Sequence, residues 1–237
     1  MKINSVLLGT KEYADAGNEF KKLKLAVGEI GPKAWDLWKA FNFIVAQGDK
    51  KAVILDVGTY GCRILELLYF KGYKRLYGCD IRRIEYRHLI YTFWLKKNLL
   101  DLFKSVLGRG PIRLSRQDLQ KTDYPSAYFD FITSISVIEH GIDLQLYCQE
   151  MARLLKPGGH LITSCDYWPE YVDTSGIMPY GLTWNILSKE DIEKLISQAG
   201  NSNLSLIEPV DLDCNDPVIE WRGKKYTFIF LVWKKNG

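Results

Sequence analysis

The 237-residue sequence has no long hydrophobic run and no leader-like beginning. No apolar stretch approaches the roughly 20 residues that span a bilayer. The opening MKINSVLLGT is too short and too polar for a secretory signal. Internal repeats and low-complexity linkers are also missing. These absences predict a cytoplasmic protein without a membrane partner.

Cysteine is sparse and unpaired in pattern. The five cysteines are widely spaced and form no C-x-x-C pair. An odd number without such spacing indicates neither a disulfide framework nor a zinc site. We therefore predict no metal centre and expect the cysteines to be small buried side chains.

The sequence also lacks a strong excess of one charge. Lysine and arginine total 32 against 28 acidic residues, which gives a net charge of +4, and the two signs are interspersed. This balance argues weakly against a nucleic-acid partner. With 47% hydrophobic and 25% charged residues, the chain is ordinary for a globular protein and long enough for one α/β domain.

The chain is organised around the stretch from Lys51 to Arg83. An apolar run, residues 52–55, ends on Asp56 and predicts a buried parallel strand. A glycine-containing turn and a helical pattern of isoleucine and leucine follow, and a second strand, residues 75–79, ends on Asp80. A strand, turn, helix and strand with an acid at each strand end is typical of a site for a nucleoside-bearing cofactor.

Two cofactor classes fit this unit. A dinucleotide needs the fuller G-x-G-x-x-G turn for its pyrophosphate, and that pattern is absent. Asp56 directly before the turn would repel a pyrophosphate but can help to hold a cationic amine. Asp80 can accept both ribose hydroxyls. An amino-acid-bearing nucleoside is favoured.

The turn Asp56-Val57-Gly58-Thr59-Tyr60-Gly61-Cys62 resembles the first motif of class I S-adenosylmethionine-dependent methyltransferases. The family pattern is acid-x-Gly-x-Gly-x-Gly, and Tyr60 and Cys62 stand where the second and third glycines usually are. The phrase Leu-Lys-Pro-Gly-Gly at residues 155–159 is also similar to this class. The resemblance covers about residues 51–166.

The resemblance implies the fold, the cofactor and its contacts. The fold would be a Rossmann-like, seven-stranded, mostly parallel α/β sheet with helices on both faces and an antiparallel last strand. Asp80 would hold the ribose, Ile81 would lie against the adenine, and Asp118 with Leu119 would bind its edge. The remaining implied contacts to S-adenosylmethionine are Asp56, Gly58, Thr59, Tyr60, Gly61 and Ser134.

The fourth strand, residues 129–134, leads into Ser136-Val137-Ile138-Glu139-His140, which resembles the Val-x-Glu-His ending of many small-molecule methyltransferases. The Asn-Pro-Pro-Tyr and Asp-Pro-Pro-Tyr signatures are absent, which disfavours methylation of a DNA base amine. His140 is the candidate general base, because its ordinary pKa lies near neutrality. Hydrogen bonding within the fold is the alternative role.

An aromatic-rich stretch, residues 166–187, follows the fifth strand and is the candidate acceptor loop. A cap that packs on the N-terminal helices is the alternative. We divide the chain into an N-terminal helical cap, 1–50, and a methyltransferase domain, 51–237. The candidate acceptor contacts are Asp166, Tyr167, Trp168, Tyr180 and Trp184.

The sequence therefore predicts methyl transfer from S-adenosylmethionine to an oxygen or nitrogen of a small molecule or a sugar. A non-catalytic S-adenosylmethionine-binding regulator or partner subunit stays open as an alternative. An NAD-dependent oxidoreductase is the weaker alternative. Neither the acceptor's identity nor the oligomeric state follows from the sequence.

Overall fold

The computed structural model describes residues 2–23, 31–82, 84, 87–95 and 97–237. Within them the helices alternate with strands through most of the chain. The helices are α1 (Thr10–Lys22), α2 (Lys33–Ala46), α3 (Arg63–Phe70), α4 (Arg87–Leu95), α5 (Leu99–Val106), α6 (Leu144–Leu154) and α7 (Lys189–Asn201). A short 3-10 helix, Pro179–Gly181, lies between β6 and α7.

The strands form one sheet that carries a short hairpin. They are β1 (Ser5–Val6), β2 (Ile54–Val57), β3 (Leu76–Asp80), β4 (Ile112–Arg116), β5 (Phe129–Ile135), β6 (Leu155–Tyr167), β7 (Leu204–Leu206), β8 (Ile219–Trp221) and β9 (Lys224–Lys235). The order is β1-β9-β6-β5-β2-β3-β4, with β7 and β8 also paired to β9.

Strands β2 to β6 are mutually parallel, and β9 runs antiparallel to β6. The strand order reverses at β2, which lies between β3 and β5. A reversal of this kind leaves a crevice at the carboxyl ends of the strands, where α/β proteins bind ligands. The predicted mostly parallel sheet with an antiparallel last strand is confirmed, and β1 and β8 are short additions to it.

Side chains of β2 alternate between the two faces of the sheet. Ile54 belongs to a core cluster that includes residues of α1, α2 and α3. Leu55 and Val57 belong to a second cluster that includes residues of α6 and α7. Because both clusters are buried, the central strands are apolar on both faces, as their continuous hydrophobic runs indicate.

Several predicted boundaries differ from the structure. The β-branched and aromatic residues of 204–212 and 226–233 predict two final strands that pair as a hairpin, but only Leu204–Leu206 of the first stretch pairs with β9. The tight hairpin joins β8 to β9 through Arg222 and Gly223, both at positive φ. The charged, amphipathic pattern of residues 18–27 predicts a helix, but the helix begins earlier, at Thr10, and residues 24–27 lie outside the described residues.

No helix within the described ranges is long and apolar enough to cross a membrane.

Candidate active site

The turn after β2 brings the backbone to the crevice. Gly58 has φ +69°, and a Cβ built on it would lie 2.4 Å from Cγ2 of Val137. Both features require glycine there. Gly61 differs, because its φ is not positive and the nearest atom to a Cβ would be Cγ of Arg63 at 3.9 Å. Cys62 takes the left-handed conformation, with φ 53°, as the residue that precedes α3.

Asp56 lies buried at the end of β2 beneath this turn. Its Oδ1 accepts a hydrogen bond of 2.7 Å from Thr133 Oγ1 on β5. Burial raises the pKa of Asp56 to about 7, hydrogen bonds lower it in part, and the charge of Asp80 adds to the rise. A carboxyl with a pKa near neutrality gains charge readily when a cation approaches it.

Asp80 ends the neighbouring strand β3 and is also buried. Its Oδ1 accepts a hydrogen bond of 2.8 Å from the backbone N–H of Arg82 and lies 3.4 Å from Arg82 Nε. The Arg82 guanidinium lies 4.1 Å from the ring centroid of Tyr60 and 5.4 Å from that of Tyr180. The sequence-predicted ribose carboxylate is therefore paired with an arginine.

Asp118 and Leu119 lie beyond β4 on the same side of the crevice. Asp118 is exposed, and its Oδ1 accepts a hydrogen bond of 2.9 Å from the Gln120 backbone N–H. It therefore caps a turn and also borders the cavity that Asp80 and Ile81 line.

Two adjoining cavities occupy the carboxyl edge of the sheet. One, of about 440 Å³, is lined by Asp80, Ile81, Asp118, Leu119 and His140, among others. The other, of about 400 Å³, is lined by residues that include Lys33, Asp56, Thr59 and Gly61. Gly58, Ser136 and Tyr180 line both. Together the cavities bring most of the predicted cofactor contacts into one continuous region.

His140 lies on the loop that follows β5. Its Nδ1 is 3.2 Å from the carbonyl oxygen of Thr183, so in the neutral ring Nδ1 carries the proton and Nε2 keeps its lone pair. Burial lowers the pKa of His140 below its ordinary value of 6.5. The ring of Tyr180 lies edge-on to it at 6.3 Å. A neutral imidazole that lines a cavity can act as a proton acceptor.

Buried acids lie behind the smaller cavity, next to Lys33 in its wall. Lys33 Nζ is 3.8 Å from Asp166 Oδ1 and 3.9 Å from Asp36 Oδ2. Asp166 Oδ2 also accepts a hydrogen bond of 2.7 Å from Trp184 Nε1. Glu139 adjoins the group, and the charges of Asp166 and Asp36 add to the effect of burial in raising its pKa.

The structure separates the predicted acceptor residues. Tyr180 is 73% exposed and lines both cavities. Asp166 and Trp184 are buried behind Lys33. Trp168 packs against the core. Tyr167 is fully buried in the other core cluster, and its hydroxyl donates to the Leu212 carbonyl.

Ser134 also lies away from the cavities. It is fully buried in β5 beside Val57 and lines neither of them. The alternation of side chains along β5 and β6 decides the placement of Ser134 and Tyr167, and the resemblance alone did not reveal it.

Sequence reasoning missed two parts of this site. Lys33 and Asp36 lie one helical turn apart at the start of α2, which is a spacing that places both side chains on one face. This spacing is the sequence feature that could have identified Lys33 and Asp36 as a pair. The run of basic residues after Asp80 favours a solvated helical face or, alternatively, an anion-binding patch, whereas the structure pairs Arg82 with Asp80. Other members of that run, Arg83, Lys96 and the side chains of Arg87 and His88, lie outside the described residues.

Comparisons with known proteins agree with the fold. Residues 55–163 match the model of a family described as a methyltransferase domain. No curated protein sequence matches the chain.

Within the described residues no three side chains of His, Cys, Asp or Glu are grouped so as to hold a metal ion.

Solved structures share the architecture at low sequence identity. The 1,6-didemethyltoxoflavin-N1-methyltransferase of Burkholderia thailandensis, solved with 1,6-didemethyltoxoflavin and S-adenosylhomocysteine, has a TM-score of 0.56 at 14% identity, covering 98% of this chain and 92% of its own. An S-adenosylmethionine-dependent methyltransferase of Mesorhizobium loti has a TM-score of 0.54 at 14% identity, covering 84% and 97%. The [4+2]-cyclase SpnF has a TM-score of 0.60 at 13% identity, covering 97% and 98%.

Residues 55–163 match a methyltransferase domain, and the fold and the first motif are similar to those of class I S-adenosylmethionine-dependent methyltransferases. The protein is an enzyme whose cofactor is S-adenosylmethionine. The residues present fit this cofactor, because Gly58 brings the turn to both cavities and buried acids end both neighbouring strands. The cyclase shows that this fold also supports other reactions.

Proposed function

We propose that the enzyme transfers a methyl group from S-adenosylmethionine to a nitrogen or oxygen of a small-molecule acceptor, a sugar included. The observation that carries this proposal is the pair of adjoining cavities at the switch point of the sheet. Asp80 and Asp118 border one cavity, Asp56 and Lys33 border the other, and His140 lies in the wall of the first.

The larger cavity suits the adenosine part of the cofactor. Asp80 would accept hydrogen bonds from the ribose hydroxyls after the Arg82 side chain moves away from it. Ile81 would cover one face of the adenine. Asp118 would accept the adenine amine, with Leu119 beside it. These roles follow from the family resemblance and from the shared position of the four residues.

The smaller cavity suits the methionine part. Gly58, Thr59 and Gly61 provide a turn whose backbone a ligand can approach, and Asp56 can attract the amino group. Tyr60 stands where the family has a glycine, and it faces Arg82. It would close the outer side of the adenosine cavity.

Alignment supplies much of the catalysis in methyl transfer, because the reacting carbon is already activated when the cofactor is bound. His140 contributes a proton acceptor at Nε2 for an acceptor that enters protonated. The bound ligands of the Burkholderia enzyme are a small molecule and S-adenosylhomocysteine, which supports a small-molecule acceptor here.

The test is methyl transfer from labelled S-adenosylmethionine to panels of small amines, alcohols and sugars. We expect label in at least one panel and loss of transfer in Asp80→Ala. The matched control is Asp213→Ala, which removes an exposed acid that pairs with Lys189 on the surface. Tight cofactor binding without transfer to any panel would contradict the proposed acceptor class.

A non-catalytic, cofactor-binding regulator is the second candidate, and one observation favours it. Arg82 pairs with Asp80, the carboxylate proposed to bind the ribose, and lies against Tyr60 and Tyr180, so a cation of the protein itself occupies part of the adenosine cavity. A regulator would bind S-adenosylhomocysteine as tightly as S-adenosylmethionine and transfer no label.

The cytoplasmic location and the absence of a nucleic-acid partner remain predictions.

A further inference from the structure

Three buried carboxyl groups face a single lysine behind the smaller cavity. Asp36, Glu139 and Asp166 are 0%, 1% and 5% exposed. They come from α2, from the loop after β5 and from β6. Burying a carboxylate is costly unless a cation or hydrogen bonds compensate it, so three of them in one place require an explanation.

The lysine is held as proteins hold an ammonium ligand. Lys33 Nζ lies within 4 Å of Asp36 and Asp166, 3.6 Å from the ring centroid of Phe228, and donates a hydrogen bond to Ser136 Oγ. Carboxylates combined with an aromatic face are the usual surroundings of a bound ammonium. We refer to Asp36, Glu139, Asp166 and Phe228 as the ammonium cage.

The cage is not fully used by Lys33. Glu139 Oε2 is buried and has no hydrogen-bond partner among the residues that the structure describes. Burial raises the pKa of Glu139 well above its ordinary value, the charges of Asp166 and Asp36 raise it further, and Lys33 lowers it. A buried oxygen without a donor is uncommon and indicates a missing partner.

Lys33 separates the carboxyl groups from the cavity. Its side chain is 36% exposed and lines the smaller cavity beside Ser136, whereas the acids lie behind it. A lysine has a flexible four-carbon stem, so its head group can move without a change in the fold. Withdrawal of Lys33 would open Asp36 and Asp166 to a ligand in that cavity.

We propose that the methyl acceptor is a small amine, whose ammonium group takes the place of Lys33 Nζ in the ammonium cage. The inference rests on the proposed function and narrows its acceptor class. Asp36 and Asp166 bind the cation, and Phe228 covers it. Glu139 Oε2 accepts a hydrogen bond from the ammonium group, and His140 Nε2 takes the proton that the amine must give up before its nitrogen can accept a methyl group.

Chemical rescue tests the cage directly. In Lys33→Ala the acids lose their cation, so we expect methylammonium chloride to raise the melting temperature more than sodium chloride does. Lys39→Ala is the matched control, because Lys39 lies on the same helix against Trp35 and Phe230, outside the cage. An equal response to both salts in Lys33→Ala would overturn the proposal. If Lys33→Ala does not fold, Lys33→Met serves for the same comparison.

A higher melting temperature of Lys33→Ala in methylammonium chloride is also expected if Lys33 forms a purely structural ion pair. The second test therefore uses the wild-type enzyme. Amines and alcohols with the same carbon skeleton are compared as acceptors. We expect methylation of amines, and a KM for the amine raised roughly 10- to 100-fold in Asp166→Asn. The affinity for S-adenosylhomocysteine should stay unchanged in that variant.

The outcomes separate the two proposals. If S-adenosylhomocysteine binds but no amine is methylated, the amine inference is overturned while cofactor binding stands. If S-adenosylhomocysteine does not bind, the proposed function itself fails. The rescue of Lys33→Ala then decides whether the cage binds ammonium ions.

Discussion

Gly58 and Gly61 belong to one motif but carry different constraints. A Cβ at Gly58 would lie 2.4 Å from Val137, and φ there is +69°, whereas neither restriction applies to Gly61. We therefore expect Gly58→Ala to lower the free energy of unfolding by about 2 kcal/mol or more, from overpacking and left-handed strain. Urea denaturation measures this.

Gly61→Ala is the matched control for that prediction. The nearest atom to a Cβ at Gly61 would be Cγ of Arg63 at 3.9 Å, an ordinary van der Waals contact. The free energy of unfolding should therefore change by less than about 1 kcal/mol in Gly61→Ala. Equal losses in the two variants would show that the turn differs from the one described.

His140 gives a prediction for pH dependence. Burial lowers its pKa below 6.5, so the neutral imidazole dominates at pH 7 and is lost only as the pH falls through that lowered pKa. If His140 is the base, kcat/KM should fall at acidic pH in the wild type. In His140→Gln that limb should vanish and kcat should drop about 10²- to 10⁴-fold.

The contradicting result for His140 is specific. An unchanged acidic limb in His140→Gln, measured with the same acceptor, would assign the titration to another group. Loss of S-adenosylhomocysteine binding in the variant would instead indicate a structural role for the bond to Thr183.

At the residue scale, sequence alone placed the groups that terminate strands. Asp56 and Asp80 end predicted strands and lie in the crevice, because parallel strands carry their last residues to one edge. Tyr167 could not be placed this way, since it is the last residue of the long strand β6, whose register decides which face of the sheet its side chain occupies. Lys33 needed the tertiary contact between α2 and the sheet.

Helix α7 gives a prediction at the scale of one element. Its capping box is complete, because Ser188 Oγ accepts from the Asp191 backbone N–H and Asp191 Oδ2 accepts from the Ser188 backbone N–H. Ser188→Ala should cost about 1 kcal/mol of unfolding free energy. Thermal or urea denaturation beside Ser188→Thr, which keeps a cap, measures it. A loss as large in Ser188→Thr would show that the cap is not the cause.

The elements themselves were largely accessible from the sequence. The sequence Ser188-Lys189-Glu190-Asp191 predicts a helix start, the β-branched and aromatic run 226–233 predicts a strand, and both are confirmed. Short strands such as β1 have no such signal, because their two residues depend on pairing with β9. The long basic and apolar segment after Asp80 gives two helices, α4 and α5, separated near Lys97 at φ +51°.

At the scale of the molecule, the N-terminal segment is tied to the end of the chain. β1 pairs with β9, and Asn4 accepts from the Val232 N–H and donates to the Glu208 carbonyl. α2 then brings Lys33 and Asp36 to the carboxyl edge of the sheet. The predicted N-terminal cap therefore contributes residues to the candidate acceptor site, which the family resemblance could not supply, because it covers only about residues 51–166.

The central claim is that the crevice binds S-adenosylmethionine through Asp80. Calorimetric titration of the purified protein with S-adenosylmethionine, beside NAD, tests it most directly. We expect binding of S-adenosylmethionine and not of NAD, weakened by about 2 to 4 kcal/mol in Asp80→Ala and unchanged in Asp213→Ala. An affinity that is the same in Asp80→Ala as in the wild type, or no binding of S-adenosylmethionine at all, would contradict the account.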